Sequence, residues 1–410
     1  MTENAKKIVI FALRMTFDEL NILLRDDVQA AIEANLERDP LRVALDRSVP
    51  SASVVASAVK YLQRARRKLP SYYAARCVVP QRAFEQSSSE ETAAHKRGKG
   101  AHCLDLTCGL GVDALYLSKR FERVTTVERD EVLAAIAREN FRRLGATNIE
   151  VVCGSAEEVV AAANEGTFDQ IYADPDRRSA DGRRQVLLEC CSPDVVALMP
   201  RLQRLAPRVV IKNSPLFDVA EAERMFGSQC RVEVVSLAGE CKEVIAEWDR
   251  TFAHNTLTAT AIGVGEYSCA SSALVAPTMA TNPLAARYLL SPDVALRKAR
   301  LTATYFAEFV PTAKACTADG FYLSDERPED IALARVYEIV TAQLFAPKQL
   351  KRDLARRSIR RLTALKRDLA LSSSEICRRL GVSEGGDALW AFTECGGAVW
   401  ALELKELTTR

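Results

Sequence analysis

The residues best suited to do chemistry lie in a short loop and in one acid downstream of it. Thr107-Cys108-Gly109-Leu110-Gly111 follows a strand-like run, Cys103–Leu106, and opens into a helical stretch, Val112–Lys119. Glycines at such a turn let the backbone pass within contact distance of a ligand that a side chain would hold away. The next strand-like run ends in Val127-Glu128-Arg129-Asp130, with Glu128 17 residues beyond Gly111. A carboxylate there can accept both hydroxyls of a ribose, so the order strand, glycine loop, helix, strand, acid points to a nucleoside cofactor. Ala114 fills the third small position of a dinucleotide fingerprint, so the loop alone admits a dinucleotide as well. A second constellation, Asp174-Pro175-Asp176-Arg177-Arg178, follows the run Phe168–Ala173, and Ser155-Ala156 and Lys212 stand at the ends of neighbouring runs. The carboxyl ends of strands in an open α/β sheet border the crevice where ligands bind.

These residues need a frame, and the hydrophobic pattern supplies one. Short β-branched or apolar runs at Cys103–Leu106, Val124–Val127, Ile149–Val152, Phe168–Ala173 and Val209–Lys212 alternate with helical stretches at Ala114–Lys119, Val132–Leu144, Ala156–Ala163 and Val195–Leu205. That rhythm predicts a doubly wound parallel sheet. Arg231–Leu237, Glu243–Trp248 and Leu257–Val264 then follow as strand-like runs without helical spacers, with a tight turn at Gly239–Lys242, which predicts an antiparallel close. Before the sheet, Pro40, Pro50 and Pro70 divide an Ala-, Leu- and Arg-rich segment into short helices. After it, a mixed α+β pattern ends in strand-like Ala388–Leu404. The expected division is a helical domain over 1–83, a cofactor-binding α/β domain over 84–276 and an α+β domain over 277–410.

Composition narrows the class. With 410 residues, 48% hydrophobic and 27% charged, the chain is globular and long enough for two or three domains. No apolar run approaches the ~20 residues that span a bilayer, and the N-terminus lacks the pattern of a signal peptide, so a cytoplasmic location without membrane is expected. The 12 cysteines include no C-x-x-C and the three histidines no H-x-x-x-H, so no metal site is expected. Net charge is only +2, so a polyanion must be met by local patches. Two cation runs qualify. Lys60–Lys68 carries five cations and no acid, and 348–367 carries nine cations and one acid, Asp353. The second run, with Leu350, Leu354, Ile359 and Leu362 as an apolar stripe, is predicted as one amphipathic helix bearing Arg356, Arg357, Arg360 and Arg361.

Taken together, FEQSSSEETAAHK (84–96), LDLTCGLGVDA (104–114), TVERD (126–130), ADPDRR (173–178), IKNSPLFD (211–218) and GECKE (239–243) resemble the class I S-adenosylmethionine-dependent methyltransferases, over roughly 84–264. Within that class the chain looks like the bacterial THUMP-like-domain family and is distantly similar to trimethylguanosine synthase. The resemblance implies a Rossmann-like methyltransferase sheet, parallel and closing with an antiparallel hairpin, flanked by a helical N-terminal and a THUMP-like α+β C-terminal domain. It implies S-adenosylmethionine as cofactor, with Asp105, Cys108, Gly109, Gly111 and Asp113 along its methionine and ribose side, Glu128 on the ribose and Ser155 and Ala156 at the adenine. Gln86 and Ser88 fall in the segment that closes over the cofactor in trimethylguanosine synthase. Asp174, Pro175, Asp176 and Arg177 occupy the place of the D-P-P-aromatic motif of amine methyltransferases, with Asp176 and Arg177 replacing the second proline and the aromatic. An arginine can stack on a planar base or pair with phosphate. The implied activity is methyl transfer to a base of RNA, an exocyclic amine above all, with Arg178, Lys212, Arg356, Arg357, Arg360 and Arg361 toward the substrate. A methyltransferase of proteins or small molecules, or a degenerate RNA-binding module, are the alternatives.

Overall fold

The computed structural model describes residues 15–176, 191–386 and 388–407. The chain forms two compact units, 1–217 with 246–252, and 218–245 with 253–410.

Among the described residues of the first unit, seven helices precede the sheet: α1 (Phe17–Leu23), α2 (Asp26–Asn35), α3 (Pro40–Leu45), α4 (Ala52–Lys68), α5 (Pro70–Ala74), α6 (Gln81–Gln86) and α7 (Glu90–His95). Three of these starts are written in the sequence. Thr16 and Glu19 form a capping box on α1, Asp39 caps α3 with Pro40 in its first turn, and Ser89 caps α7. The alternating region then runs β1 (Gly100–Asp105), α8 (Val112–Leu117), β2 (Phe121–Glu128), α9 (Glu131–Arg143), β3 (Ile149–Cys153), α10 (Ala156–Ala162), β4 (Gln170–Ala173), α11 (Val195–Leu205) and β5 (Arg208–Asn213). The five strands pair in parallel in the order β3-β2-β1-β4-β5. Each expected strand and helix of this region is present. Strand order reverses at β1, between β2 and β4, which is the switch point where a crevice opens. Register sets what meets there: Asp105 lies opposite Thr126 of β2 and Tyr172 of β4. Glu128 ends β2 two residues further along, opposite Cys153.

The second unit begins with α12 (Val219–Phe226), a helix that the sequence reading did not foresee, and β6 (Cys230–Leu237). Ala238 and Gly239, both at positive φ (53° and 78°), turn the chain into β7 (Glu240–Asp249). A two-residue loop with both φ positive is the hairpin turn that matches strand twist, and it stands a little earlier than the expected Gly239–Lys242. β8 (Thr256–Ala261) runs parallel to β6, and β9 (Gly265–Ala270) closes antiparallel to β8. Residues 240–245 of β7 belong to this unit and 246–249 to the first.

An eight-stranded sheet follows in the same unit. Its elements are β10 (Tyr288–Pro292), α13 (Val294–Lys298), α14 (Thr302–Phe309), β11 (Lys314–Ala315), β12 (Tyr322–Ser324), β13 (Ala334–Leu344), α15 (Pro347–Arg356), β14 (Arg361–Arg367), α16 (Ser373–Leu380), β15 (Ser383–Glu384), β16 (Ala388–Cys395) and β17 (Ala398–Glu406). The order is β11-β12-β10-β13-β17-β16-β14-β15. Leu350, Leu354, Leu362, Ile376 and Trp390 pack together as one core of this region. Here the expected single helix over 348–367 is corrected. It stops at Arg356, Ser358 takes a positive φ of 58°, and residues 361–367 form β14, paired in parallel with β16. Leu354 and Leu362 reach the same core from different elements, so an apolar stripe with helical spacing was satisfied by a helix, a turn and a strand.

Candidate active site

The glycine loop is tied to both strands that flank it. The amide of Cys108 donates to the carbonyl of Val127 (2.8 Å), and that of Leu106 to Tyr172 (2.9 Å). Gly109 and Gly111 both take positive φ, 54° and 86°. Their reasons differ. A Cβ on Gly111 would stand 2.5 Å from the ring of Phe141, so this glycine serves close packing of α9, whereas a Cβ on Gly109 would meet open space. Open space therefore lies beside Gly109, while packing against Phe141 already accounts for a glycine at 111. The Gly109 amide donates to Oε2 of Glu128 (2.9 Å), and the Asp130 amide to Oε1 (2.9 Å). Burial raises the pKa of Glu128, and these two amides act against the rise.

Asp105 is fully buried beneath the loop. It accepts hydrogen bonds from Thr126 Oγ1 (2.7 Å), the Thr107 amide (2.9 Å) and Thr107 Oγ1 (3.3 Å). Burial pushes its carboxyl up to about 7, against the lowering effect of Thr126 and the Thr107 amide. Thr107 Oγ1 also accepts the amide of Asp174 (2.7 Å), so one threonine joins the loop to the strand carrying the second motif. Cys108 is buried, and burial holds its thiol well above the ordinary range, which suits a packed loop residue and not a nucleophile.

A second cluster lies beside Asp174. Lys212 Nζ donates to Oδ2 of Asp174 (2.6 Å) and to Ser88 Oγ (2.8 Å), and stands 3.6 Å from Asp113 Oδ2. Asp113 Oδ2 accepts from Ser88 Oγ (2.8 Å) and Tyr172 OH (2.9 Å), while the almost wholly buried Lys96 lies 3.8 Å from Oδ1. Burial pushes Asp113 up, but the two ammonium groups and the two hydroxyls outweigh it and bring the carboxyl to about 2. Asp113, Ser88 and Lys212, assigned by the resemblance to cofactor, lid and substrate, thus share one buried network with one another. Lys96, Tyr172 and Thr107 complete it and were not singled out from sequence. Lys96 and Thr107 did lie inside motifs that were, and Tyr172 in the run just before one, but a lysine is ordinarily read as exposed.

The remaining sequence candidates are placed as follows. Pro175 is buried, and Asp176 exchanges backbone hydrogen bonds with Ser192 (2.9 and 3.0 Å). Asp176 also lies 3.7 Å from Arg82 of α6. Gln86 is exposed and accepts from Arg82 Nε (3.2 Å). Ser155 is the N-cap of α10 in a capping box with Glu158, so its hydroxyl is occupied by helix initiation, and Ala156 is buried in the first turn. Arg356 pairs with Asp353, and Arg357 with Glu403 on β17, while Arg360 and Arg361 are exposed at the start of β14. Arg177 and Arg178 lie outside the described residues. Among the described residues, no group of His, Cys, Asp and Glu could hold a metal ion, and no helix is long and apolar enough to cross a membrane.

Residues 103–192 match the methyltransferase domain family and 334–406 the THUMP domain-like family. The chain is similar to ribosomal RNA small subunit methyltransferase J of Alteromonas mediterranea, 31% identical over 144 residues, which are 32% of this chain and 56% of that one. It is also similar to protein-L-isoaspartate O-methyltransferase of Bradyrhizobium sp., 32% identical over 26% of this chain and 46% of that one. The chain therefore spans about half the length of the curated relatives it matches. A crystal structure of a methyltransferase candidate from Porphyromonas gingivalis W83 aligns with TM-score 0.81 and 24% identity, over 96% of this chain and 100% of that one, and shares the fold. The chain thus carries a class I methyltransferase domain, the fold that takes S-adenosylmethionine, together with a THUMP-like domain.

Proposed function

We propose that the protein is an S-adenosylmethionine-dependent methyltransferase that modifies a base of RNA, with an exocyclic amine as the favoured acceptor. One observation carries the reading. The Gly109 loop, the Glu128 carboxylate and Asp174 stand at the carboxyl ends of β1, β2 and β4, around the switch point of one sheet. The residues fit the cofactor. Gly109 faces open space, and Glu128 is fixed by two backbone amides with acceptor capacity left for ribose hydroxyls. S-adenosylmethionine supplies an electrophilic methyl group. Glu128 holds the ribose, the buried Asp105 and Cys108 shape the loop, and Ala156 lies along the adenine. Asp174, anchored through Oδ2 to Lys212, offers its other oxygen to the amine and aligns it for attack. The basic THUMP-like unit binds RNA in this reading, and the location is cytoplasmic.

Label transfer from methyl-labelled S-adenosylmethionine to total cellular RNA and to total protein, side by side, tests the proposal. RNA labelling is expected, falling about 10²–10³-fold in Asp174→Ala, the size of losing one preorganised polar partner, with cofactor affinity changed far less. Labelling confined to protein would replace RNA as the substrate. A full rate in Asp174→Ala would leave that motif a structural role only.

A further inference from the structure

We infer that one face of helix α4, continued by Arg82 of α6, is the surface along which single-stranded RNA reaches Asp174; this rests on the RNA reading above. Helix α4 contains five cations and no acid. Lys60, Arg64, Arg67 and Lys68 recur at the spacing of one helical face, about 12 Å long at ~1.5 Å per residue. The helix dipole accounts for cations in the last turn, where Arg66, Arg67 and Lys68 stand, but not for Lys60 and Arg64 further back.

The face is also organised. The Arg64 guanidinium lies 5.3 Å from the Tyr61 ring centre and 5.1 Å from that of Phe84, and Lys60 lies 5.5 Å from Tyr61. Lys68 Nζ donates to the Phe84 carbonyl (2.6 Å). Rings that hold cationic heads in place reduce the ordering cost of meeting a phosphate. Phe84 belongs to α6, and the same short helix carries Arg82, 3.7 Å from Asp176 and thus beside the Asp174 motif. A row of positive charge leads from the far part of α4 to the reacting end of β4 within the first unit. Glu85 pairs with Arg64 at 3.7 Å while both side chains are 48% exposed, and so exposed a pair is weak enough for a phosphate to displace.

The test is a salt titration of binding by a fluorescein-labelled, mixed-sequence single-stranded RNA 20-mer to the full chain. The variants are Lys60→Gln/Arg64→Gln/Arg67→Gln and the charge-keeping Lys60→Arg/Arg64→Lys/Arg67→Lys. Each phosphate contact contributes about −0.7 to the slope of log affinity against log salt, so the glutamine variant should lose roughly two units of slope and the charge-keeping variant none. S-adenosylmethionine affinity, measured on the same samples, should be unchanged and reports that the sheet is intact. A wild type that binds steeply while the glutamine variant keeps its slope overturns this surface and leaves the RNA reading standing. A wild type without salt-dependent RNA binding, and without RNA labelling, overturns both.

Discussion

At the scale of single residues, two carboxyls on neighbouring segments are both pushed up by burial, and their partners decide where each ends. Asp105 has only neutral partners, so its carboxyl rises from 3.8 to about 7; Asp113 faces Lys96 and Lys212 and falls to about 2. The consequences for stability have opposite signs. Between about pH 4 and 7 folded Asp105 keeps a proton that the unfolded chain has released, so its contribution to stability falls as pH rises through that window and is level above it. Asp113 contributes stability above pH 3.8 that is lost as pH falls toward 2. Asp105→Asn should abolish the first effect. The melting temperature of the variant should gain on that of the wild type from pH 4 to 7 and then run parallel, and a constant difference across that range would refute a protonated Asp105. Glu128 has two jobs. Glu128→Ala should weaken S-adenosylmethionine at least tenfold by calorimetry, since each charge-assisted hydrogen bond is worth ~1.5–3 kcal/mol. It should also lower stability without ligand by about 1–3 kcal/mol, because the amides of Gly109 and Asp130 lose their acceptor. Unchanged affinity would remove the ribose role.

At the scale of elements, the segment after Pro347 shows how cations of similar sequence position acquire different work. Arg356 ends α15 with a 78% exposed side chain and a partner, Asp353, on its own helix. Arg357, one residue on, reaches Glu403 of β17, whose side chain is 15% exposed, and makes two hydrogen bonds to it. Arg357→Glu should therefore cost about 1 kcal/mol by placing like charges together between two elements, the modest size reflecting the exposure of the arginine. Arg356→Glu should stay within ~0.5 kcal/mol. Chemical denaturation of the two variants separates them, and equal costs would mean that the link to β17 contributes nothing. An RNA-binding role for this run is then best sought at Arg356, Arg360 and Arg361, which can be altered without breaking that link.

At the scale of the whole molecule, net charge is a poor guide to what the chain binds. A total of +2 hides an acid-free helix in the first unit and a cation-rich run in the second. The chain crosses between its two compact units more than once, since 246–252 returns to the first after 218–245 has entered the second. A segment cut at a linker of polar composition would not follow that division. The local part of the structure was legible: the strands and helices of 100–213 and the glycine loop before Glu128 depend on neighbours within a few residues. The breaks at Ser358 and at Ala238-Gly239 were less so, because a positive φ at a serine or alanine is imposed by packing and turn geometry and not by the residue itself. Periodicity and turn chemistry act along the chain, and they were enough for the sheet, the loop and the acid at the carboxyl end of β2. Only the tertiary structure decided that Lys212 would meet Ser88, 124 residues away, and Asp174, 38 away, and that Lys96 would be buried against Asp113. A charge can stay in the interior only beside its counter-charge, and which counter-charge that is depends on the fold bringing distant segments together.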